Sequence, residues 1–232
     1  MNEQSKVVLL KKVDLFKQQI QKFNANDVVM NLQVCLDVSG SMQAEYRAGG
    51  YMDELMKRFI ALATLVDPDK KLEVIAFDHR VHELPDMYVQ NFDNYLNIIR
   101  SDNSLWGSTA YHVALDYIRL NKLNPLQKIA SLFGIVKRKK QPTFVCFFTD
   151  GSPDSARDAR DALYQLKGTN TYVQFIGVGQ RNNFQLVETL ANELDYVGFV
   201  HFSTLSNVSD EEFIQKFLQN FRAGKPTHLG VG

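Results

Sequence analysis

The 232-residue sequence contains only two cysteines, Cys35 and Cys146, and each lies inside an apolar run. A metal or redox site built on sulfur would need a second Cys or a His at ligand spacing, and neither cysteine has one. Both are therefore predicted to be buried free thiols. The five histidines are scattered. His79 and His82 come closest to a pair, and we expect them to flank an edge strand rather than to bind a metal.

The sequence also lacks an excess of either charge and any long apolar run. Lys+Arg and Asp+Glu each number 26, so the net charge is zero, which argues against a nucleic-acid partner or an anionic membrane surface. No apolar run approaches the roughly 18–20 residues that span a bilayer, and the N-terminus lacks the features of a secretory signal. We expect a cytoplasmic protein without direct membrane insertion. The oligomeric state stays open.

The spacing of apolar residues changes repeatedly between a strand period and a helix period along the chain. Strands are predicted at 28–37, 72–77, 81–84, 143–149, 172–178 and 197–202. Helices are predicted at 8–23, 52–66, 92–99, 110–120, 154–166, 184–194 and 209–221. This alternation predicts an α/β fold with a doubly wound, mostly parallel sheet and helices on both faces.

No repeat or Pro/Gly/Ser-rich linker divides the chain, which predicts a single domain over 28–222. An amphipathic helix within 1–27 is expected to pack on this domain or to extend from it. The segment 121–142 carries the basic run 137–140 and is predicted to be a solvated loop. The tail 223–232 is expected to be flexible.

Hydroxyl and carboxylate side chains follow two of the predicted strands and open the helix between them. Ligands of open α/β sheets bind at the carboxyl ends of the strands, and residues two apart in an extended segment point the same way. Three hydroxyls and two carboxylates form an all-oxygen set that suits a hard divalent cation, Mg²⁺ before Mn²⁺ or Ca²⁺. The alternative is that these side chains only form turns and helix caps. The candidate metal ligands are Asp37, Ser39, Ser41, Thr109 and Asp150.

At these residues the sequence resembles a known family. DVSGSM, the Thr of WGSTAYHVAL and FFTDGS are similar to the metal-ion-dependent adhesion site (MIDAS) of von Willebrand factor A (vWA) domains, and the resemblance covers about 28–222. YRAGGYMDELMKRFIALATLVDPDKKLEVIAFD further resembles the bacterial tellurium-resistance TerF-like branch. The resemblance implies a six-stranded, vWA/Rossmann-like sheet with one antiparallel edge strand. It also implies that the five candidates are the ligands, with the hydroxyls binding directly and the carboxylates often through water.

Enzyme motifs are incomplete, so we expect no catalytic residues. A haloacid-dehalogenase-type phosphatase needs Asp-x-Asp after its first strand, and here Ser39 takes the second position. Gly177 and Gly179 begin a GxGxxG pattern whose third position is Asn182. Neither a GxSxG elbow nor a P-loop is present.

Two functional hypotheses follow. The first is a metal-dependent protein-binding module in a bacterial tellurium-resistance or stress-response system, whose Mg²⁺ accepts an Asp or Glu carboxylate from a protein partner. The second is a structural vWA domain whose metal only orders loops, with partners bound on another face. The apolar stripe at 9, 13, 16, 20 and 23 is a candidate for that face.

Overall fold

The computed structural model describes residues 3–23, 29–102, 104–121 and 142–222. The strands are β1 (Asn31–Asp37), β2 (Glu73–Phe77), β3 (Val81–Glu83), β4 (Thr143–Thr149), β5 (Thr171–Val178) and β6 (Val197–Phe202). The helices are α1 (Glu3–Lys22), α2 (Met52–Val66), α3 (Asn97–Arg100), α4 (Tyr111–Asn121), α5 (Ala156–Gln165), α6 (Gln185–Glu193), α7 (Asp210–Phe217) and α8 (Gln219–Arg222). None of the helices in these ranges is long and apolar enough to cross a membrane.

The strands form one six-stranded sheet in the order β3-β2-β1-β4-β5-β6. All neighbouring pairs are parallel except the hairpin of β2 and β3, which places an antiparallel strand at one edge. The predicted fold class is therefore confirmed. From β1 the chain adds β2 and β3 on one side and β4, β5 and β6 on the other, so the strand order reverses between β1 and β4. The carboxyl ends of β1 and β4 therefore form the crevice where such sheets bind ligands.

Helices cover both faces of the sheet. On one face, Tyr111 of α4 packs its ring against Phe77, Phe147 and Phe175 of three different strands. On the other face, α7 packs against β4 through the rings of Phe217 and Phe144. Every residue of β4 is buried, as its nearly continuous apolar run predicts. Both free cysteines are buried in this core, as predicted.

Helix α1 packs against α2 and α7. Leu9, Phe16 and Ile20 are buried, with the other apolar positions of the stripe packed partly against the same core. Lys12 is also buried and donates to Asp210 at 2.6 Å and to Glu54. The apolar stripe is thus covered by the chain's own domain and is not a free docking face.

The structure differs from the predicted helices at three places. Helix α1 begins at Glu3 rather than at residue 8. The segment predicted as a helix at 92–99 contains a short 3₁₀ turn at Phe92–Asn94 and the four-residue α3, and its Asp93, Asn94 and Asn97 are residue types with low helix propensity. The helix predicted at 209–221 is divided into α7 and α8. The basic run 137–140 and the tail 223–232 lie outside the described residues.

Candidate metal centre

Asp37 ends β1 and is fully buried. Its Oδ1 accepts a hydrogen bond from the Ser39 backbone N–H at 2.8 Å, and its Oδ2 accepts one from Thr149 Oγ1 at 2.6 Å. Its main-chain oxygen accepts a third from the Tyr46 hydroxyl at 3.0 Å. These contacts fix the carboxylate between the carboxyl ends of β1 and β4.

A chain of hydroxyls leads from this buried carboxylate to the surface. Ser39 Oγ lies 3.2 Å from Ser41 Oγ, and Ser41 Oγ donates to Asp150 Oδ1 at 3.0 Å. Ser39 is buried, Ser41 is exposed and Asp150 is half-buried. Four of the five candidate ligands are therefore linked through short polar contacts across the ends of β1 and β4.

Thr109 lies in the loop before α4, and this loop reaches the same edge of the sheet. The Gly40 N–H donates to the Gly107 carbonyl at 3.0 Å, which joins this loop to the one after β1. Asp154 forms two hydrogen bonds with the backbone of Thr109. The Thr109 N–H donates to Asp154 Oδ1 at 3.0 Å, and the Asp154 N–H donates to the Thr109 carbonyl at 2.9 Å. Among the hydrogen bonds of the described residues, none joins the Thr109 hydroxyl to the other four candidates.

Asp78 anchors the loop before α4 from the end of β2. Its Oδ2 accepts from the Gly107 N–H at 3.1 Å, and its carbonyl accepts from the Ala110 N–H at 3.0 Å. His79 Nδ1 and His82 Nε2 lie 3.2 and 3.0 Å from its Oδ1. The two histidines thus contact this buried carboxylate.

The electrostatics of the site favour a bound cation. Burial raises the pKa of Asp37 to about 6, although hydrogen bonds from Ser39 and Thr149 lower it. Burial also raises the pKa of Asp150. Within the described residues, no Lys, Arg or His forms an ion pair with either carboxylate. A buried carboxylate without a cation is costly, and the adjacent hydroxyl oxygens complete an oxygen donor set.

The candidate site depends on hydroxyl groups. Across the ranges that the structure describes, no three His, Cys, Asp or Glu side chains are grouped so that they could hold a metal ion. Hydroxyl, carboxylate and water oxygens are the ligands that Mg²⁺ accepts. The residues present therefore fit a hard divalent cation that keeps some of its water.

Sequence reasoning missed three residues that support the site. Thr149 donates to Asp37 and accepts from the Tyr111 hydroxyl at 3.1 Å. Asp78 directly follows β2, and Asp37 is the last residue of β1, so inspection of every strand end would have found Asp78. Asp154 gave no signal, because its contact with Thr109 joins residues 45 positions apart.

Comparison with known proteins identifies a family model over residues 29–224, described as "vWA-TerF-like: vWA found in TerF C terminus". An uncharacterized protein of Bacillus subtilis (strain 168), YcbR, is 22% identical over 214 residues, which cover 90% of this chain and 81% of YcbR. The similarity to YcbR therefore extends over most of both chains.

Solved structures of two proteins share the fold. Proximal thread matrix protein 1 (PTMP1) from the mussel byssus is 17% identical with a TM-score of 0.55, and the match covers 84% of this chain and 49% of PTMP1. This chain therefore spans about half the length of PTMP1. Another PTMP1 structure, with a zinc-occupied MIDAS motif, matches at 18% identity over 84% of this chain and 48% of PTMP1, with a TM-score of 0.55. Manganese-loaded TRAP of Plasmodium vivax is 21% identical with a TM-score of 0.51, over 76% of this chain and 69% of TRAP.

Proposed function

The chain belongs to the vWA-TerF-like family, and from this premise we propose that it is a metal-dependent protein-binding module. Ser39, Ser41 and Thr109 would hold a divalent cation directly, with Asp37 and Asp150 acting through water. The zinc-occupied MIDAS of PTMP1 and the manganese-loaded TRAP support a divalent cation. The oxygen donor set favours Mg²⁺ among such ions.

The observation that carries this proposal is the buried carboxylate of Asp37 beside a continuous set of hydroxyls. Asp37 is joined through the Ser39 backbone to the Ser39–Ser41–Asp150 contacts, and no basic side chain in the described ranges neutralises it. Buried charges in proteins are normally paired or bind metals. A divalent cation supplies the missing positive charge at this position.

The proposed partner is a protein that presents an Asp or Glu carboxylate. Three of the five ligands are neutral hydroxyls, so a bound cation keeps positive character toward an incoming anion. A bound cation would supply an electrophilic coordination position, where a partner carboxylate would form a charge-assisted contact. The exposed Ser41 and half-buried Asp150 lie on the open side of the site.

The proposed role is binding rather than catalysis. An activated Ser or Thr nucleophile needs an adjacent general base, usually His. In the described part of the chain, no His, Cys or Lys forms a hydrogen bond with the hydroxyl of Ser39, Ser41 or Thr109. The family name supports a further proposal, that the protein acts in a bacterial tellurium-resistance or stress-response system in the cytoplasm.

Metal occupancy is tested by calorimetry with Mg²⁺ and Mn²⁺ and by the fluorescence of Trp106, the only tryptophan. Trp106 lies in the loop that carries Thr109, and its ring contacts Tyr46, which in turn binds the Asp37 carbonyl. We expect one saturable site, lost in Ser41→Ala and retained in the matched control Ser152→Ala. The Ser152 hydroxyl donates to the Asn183 carbonyl rather than to the candidate ligands. Absence of saturable binding at millimolar metal would contradict the proposal.

Access of a carboxylate to the metal is tested with Mn²⁺-loaded protein and two small probes. Acetyl-aspartate amide should show paramagnetic broadening of its methylene protons, whereas acetyl-asparagine amide, which has the same shape without the charge, should show much less. Equal broadening of the two probes in a protein that binds Mn²⁺ would favour the second hypothesis, in which the metal only orders loops.

A further inference from the structure

A polar cavity lies on the α4 face of the sheet, at the end of β1 opposite to Asp37. Its volume is about 230 Å³, and Gln33, Glu73, Glu83, Asp86, Tyr117 and Ile118 contribute to its lining. Gln33 precedes Asp37 by four residues in β1, which corresponds to about 13 Å along a strand. The cavity is therefore separate from the candidate metal centre.

The strand register places the polar groups of this cavity side by side. Gln33 is paired with Glu73 on the neighbouring parallel strand, so the two side chains share a face of the sheet. Glu83 on the edge strand is paired with Ile75, two residues beyond Glu73. Side chains in such a diagonal arrangement lie within reach of each other. One amide and two carboxylates thus meet on one face at the sheet edge.

Gln33 supplies the observation that points to a ligand. The residue is only 5% exposed, and its Oε1 has no hydrogen-bond partner in the described part of the molecule. Buried side-chain oxygens are normally satisfied, and an exception calls for a missing donor. The unsatisfied oxygen belongs to a side chain that lines the cavity, so a molecule that enters the cavity could donate a hydrogen bond to it.

The charges around the cavity favour a cationic donor. Glu73, Glu83 and Asp86 contribute three carboxylates, and Lys71 is the only basic residue paired with them in the described ranges. Its ammonium lies 2.7 Å from Asp86 and 3.5 Å from Glu73. Glu83 forms no ion pair within those ranges. One ammonium group therefore already binds between two of these carboxylates, and negative charge remains.

We propose that this cavity binds an alkylammonium group, with its N–H donating to Gln33 Oε1 and its charge facing Glu73 and Glu83. A metal ion does not fit equally well, because no three acidic, His or Cys side chains of the described residues are grouped to hold one. The group is carried either by a free aliphatic amine or by a lysine side chain of another protein. Both sources present the same chemistry, and the cavity volume suits a single such chain.

The test uses the ¹⁵N-labelled 232-residue chain and two-dimensional NMR of the Gln33 side-chain amide. The probes are 1,5-diaminopentane and acetyl-Gly-Lys-Gly-amide, titrated at constant ionic strength. We expect a saturable shift of the Gln33 signals, and the tighter of the two probes identifies the source of the ammonium group. Two control ligands, 1,5-pentanediol without charge and tetramethylammonium without N–H groups, should leave these signals unchanged.

Three variants make the test specific. Glu83→Gln at the exposed rim and Gln33→Met in the strand should each weaken binding about tenfold, the effect of losing one hydrogen bond or ion pair with a charged group. Because Gln33→Met lacks the side-chain amide, its binding is followed through the backbone amide signal of residue 33. Glu3→Gln removes the same charge from α1 on the other face of the sheet and should bind normally. If neither probe gives a saturable Gln33 shift, or if folded Glu83→Gln binds as tightly as the unchanged protein, the proposal is wrong. Because the titration is made in EDTA, its result is independent of metal binding at Asp37.

Discussion

Replacement of Asp37 by Asn should stabilise the metal-free protein at neutral pH while it abolishes metal binding. Burial raises the pKa of Asp37 from 3.8 to about 6 in the folded protein. This difference corresponds to about 3 kcal/mol against the ionised folded state. The Asn amide keeps an acceptor for the Ser39 N–H but removes the acceptor for Thr149 Oγ1, a loss of about 1 kcal/mol. The net gain for Asp37→Asn is therefore about 2 kcal/mol.

The sign of this effect depends on pH. Below pH 3.8 Asp37 is protonated in both folded and unfolded chains, so ionisation contributes no difference. As pH rises toward 6, the unfolded carboxyl ionises freely while the folded one resists, and the unchanged protein loses stability relative to Asp37→Asn. Above pH 6 the difference stays constant. The advantage of the variant should thus be present at pH 7.5 and absent at pH 3.5.

Urea unfolding in EDTA at both pH values measures this difference directly, because other titrating groups are common to the two proteins. Addition of Mg²⁺ at 100 times its dissociation constant should stabilise the unchanged protein by about 2.7 kcal/mol and leave the variant unaffected. If Asp37→Asn is less stable than the unchanged protein at pH 7.5 in EDTA, the inference of a destabilising buried charge is refuted. If the unchanged protein is as stable in EDTA as in Mg²⁺, the link between the buried charge of Asp37 and metal binding is refuted.

Four other outcomes are expected. Thr109→Ala should remain folded by circular dichroism and weaken binding of the carboxylate probe by about 1–3 kcal/mol, whereas its neighbour Ser108→Ala should bind normally. Asp154→Ala should raise the dissociation constant for Mg²⁺ in calorimetry without lowering the unfolding midpoint appreciably, because this exposed side chain holds Thr109 in place. Lys12→Met should lower the free energy of unfolding in urea by about 1 kcal/mol, since it removes a buried ammonium from the partly exposed Asp210 and Glu54, while Arg58 and Lys57 still pair with these carboxylates. Phosphate- and carboxyl-ester substrates should give only background hydrolysis; metal-dependent turnover that is lost in Asp37→Ala would show an enzyme instead.

The fold could be predicted from the sequence because its signals are local and redundant. The fully apolar β4 is typical of a strand buried on both faces, and the segments of helical period around it leave a doubly wound sheet as the consistent arrangement. Asp37 and Asp150 could be brought together for the same reason, since both lie at the carboxyl ends of parallel strands. Ser39 and Ser41 are close together as expected, but the extended segment assumed for them is wrong, because Gly40–Ala44 form a 3₁₀ helix that begins after Ser39.

The remaining features depend on contacts between distant residues, which periodicity does not encode. Lys12 has the sequence context of an ordinary surface lysine, yet it is 5% exposed and binds Asp210, 198 positions away. The pairing of Asp154 with Thr109 is equally non-local. The unsatisfied oxygen of Gln33 becomes visible only when the neighbours of the side chain are known.

The polar groups at the two ends of β1 support a ligand site at each end. Between α1, α2 and α7, buried charges are paired: Lys12 binds Asp210, and Arg58 binds Asp210 at 2.9 Å. His112 Nδ1 and Arg119 Nε are also buried without a hydrogen-bond partner among the described residues, so Gln33 is distinguished by the acidic cavity that it lines. Asp37 at one end of β1 has no cation among the described residues, and Gln33 near the other end has an acceptor without a donor. The missing group is positive in both cases, a metal ion at the hydroxyl-rich end and an ammonium group at the acidic end.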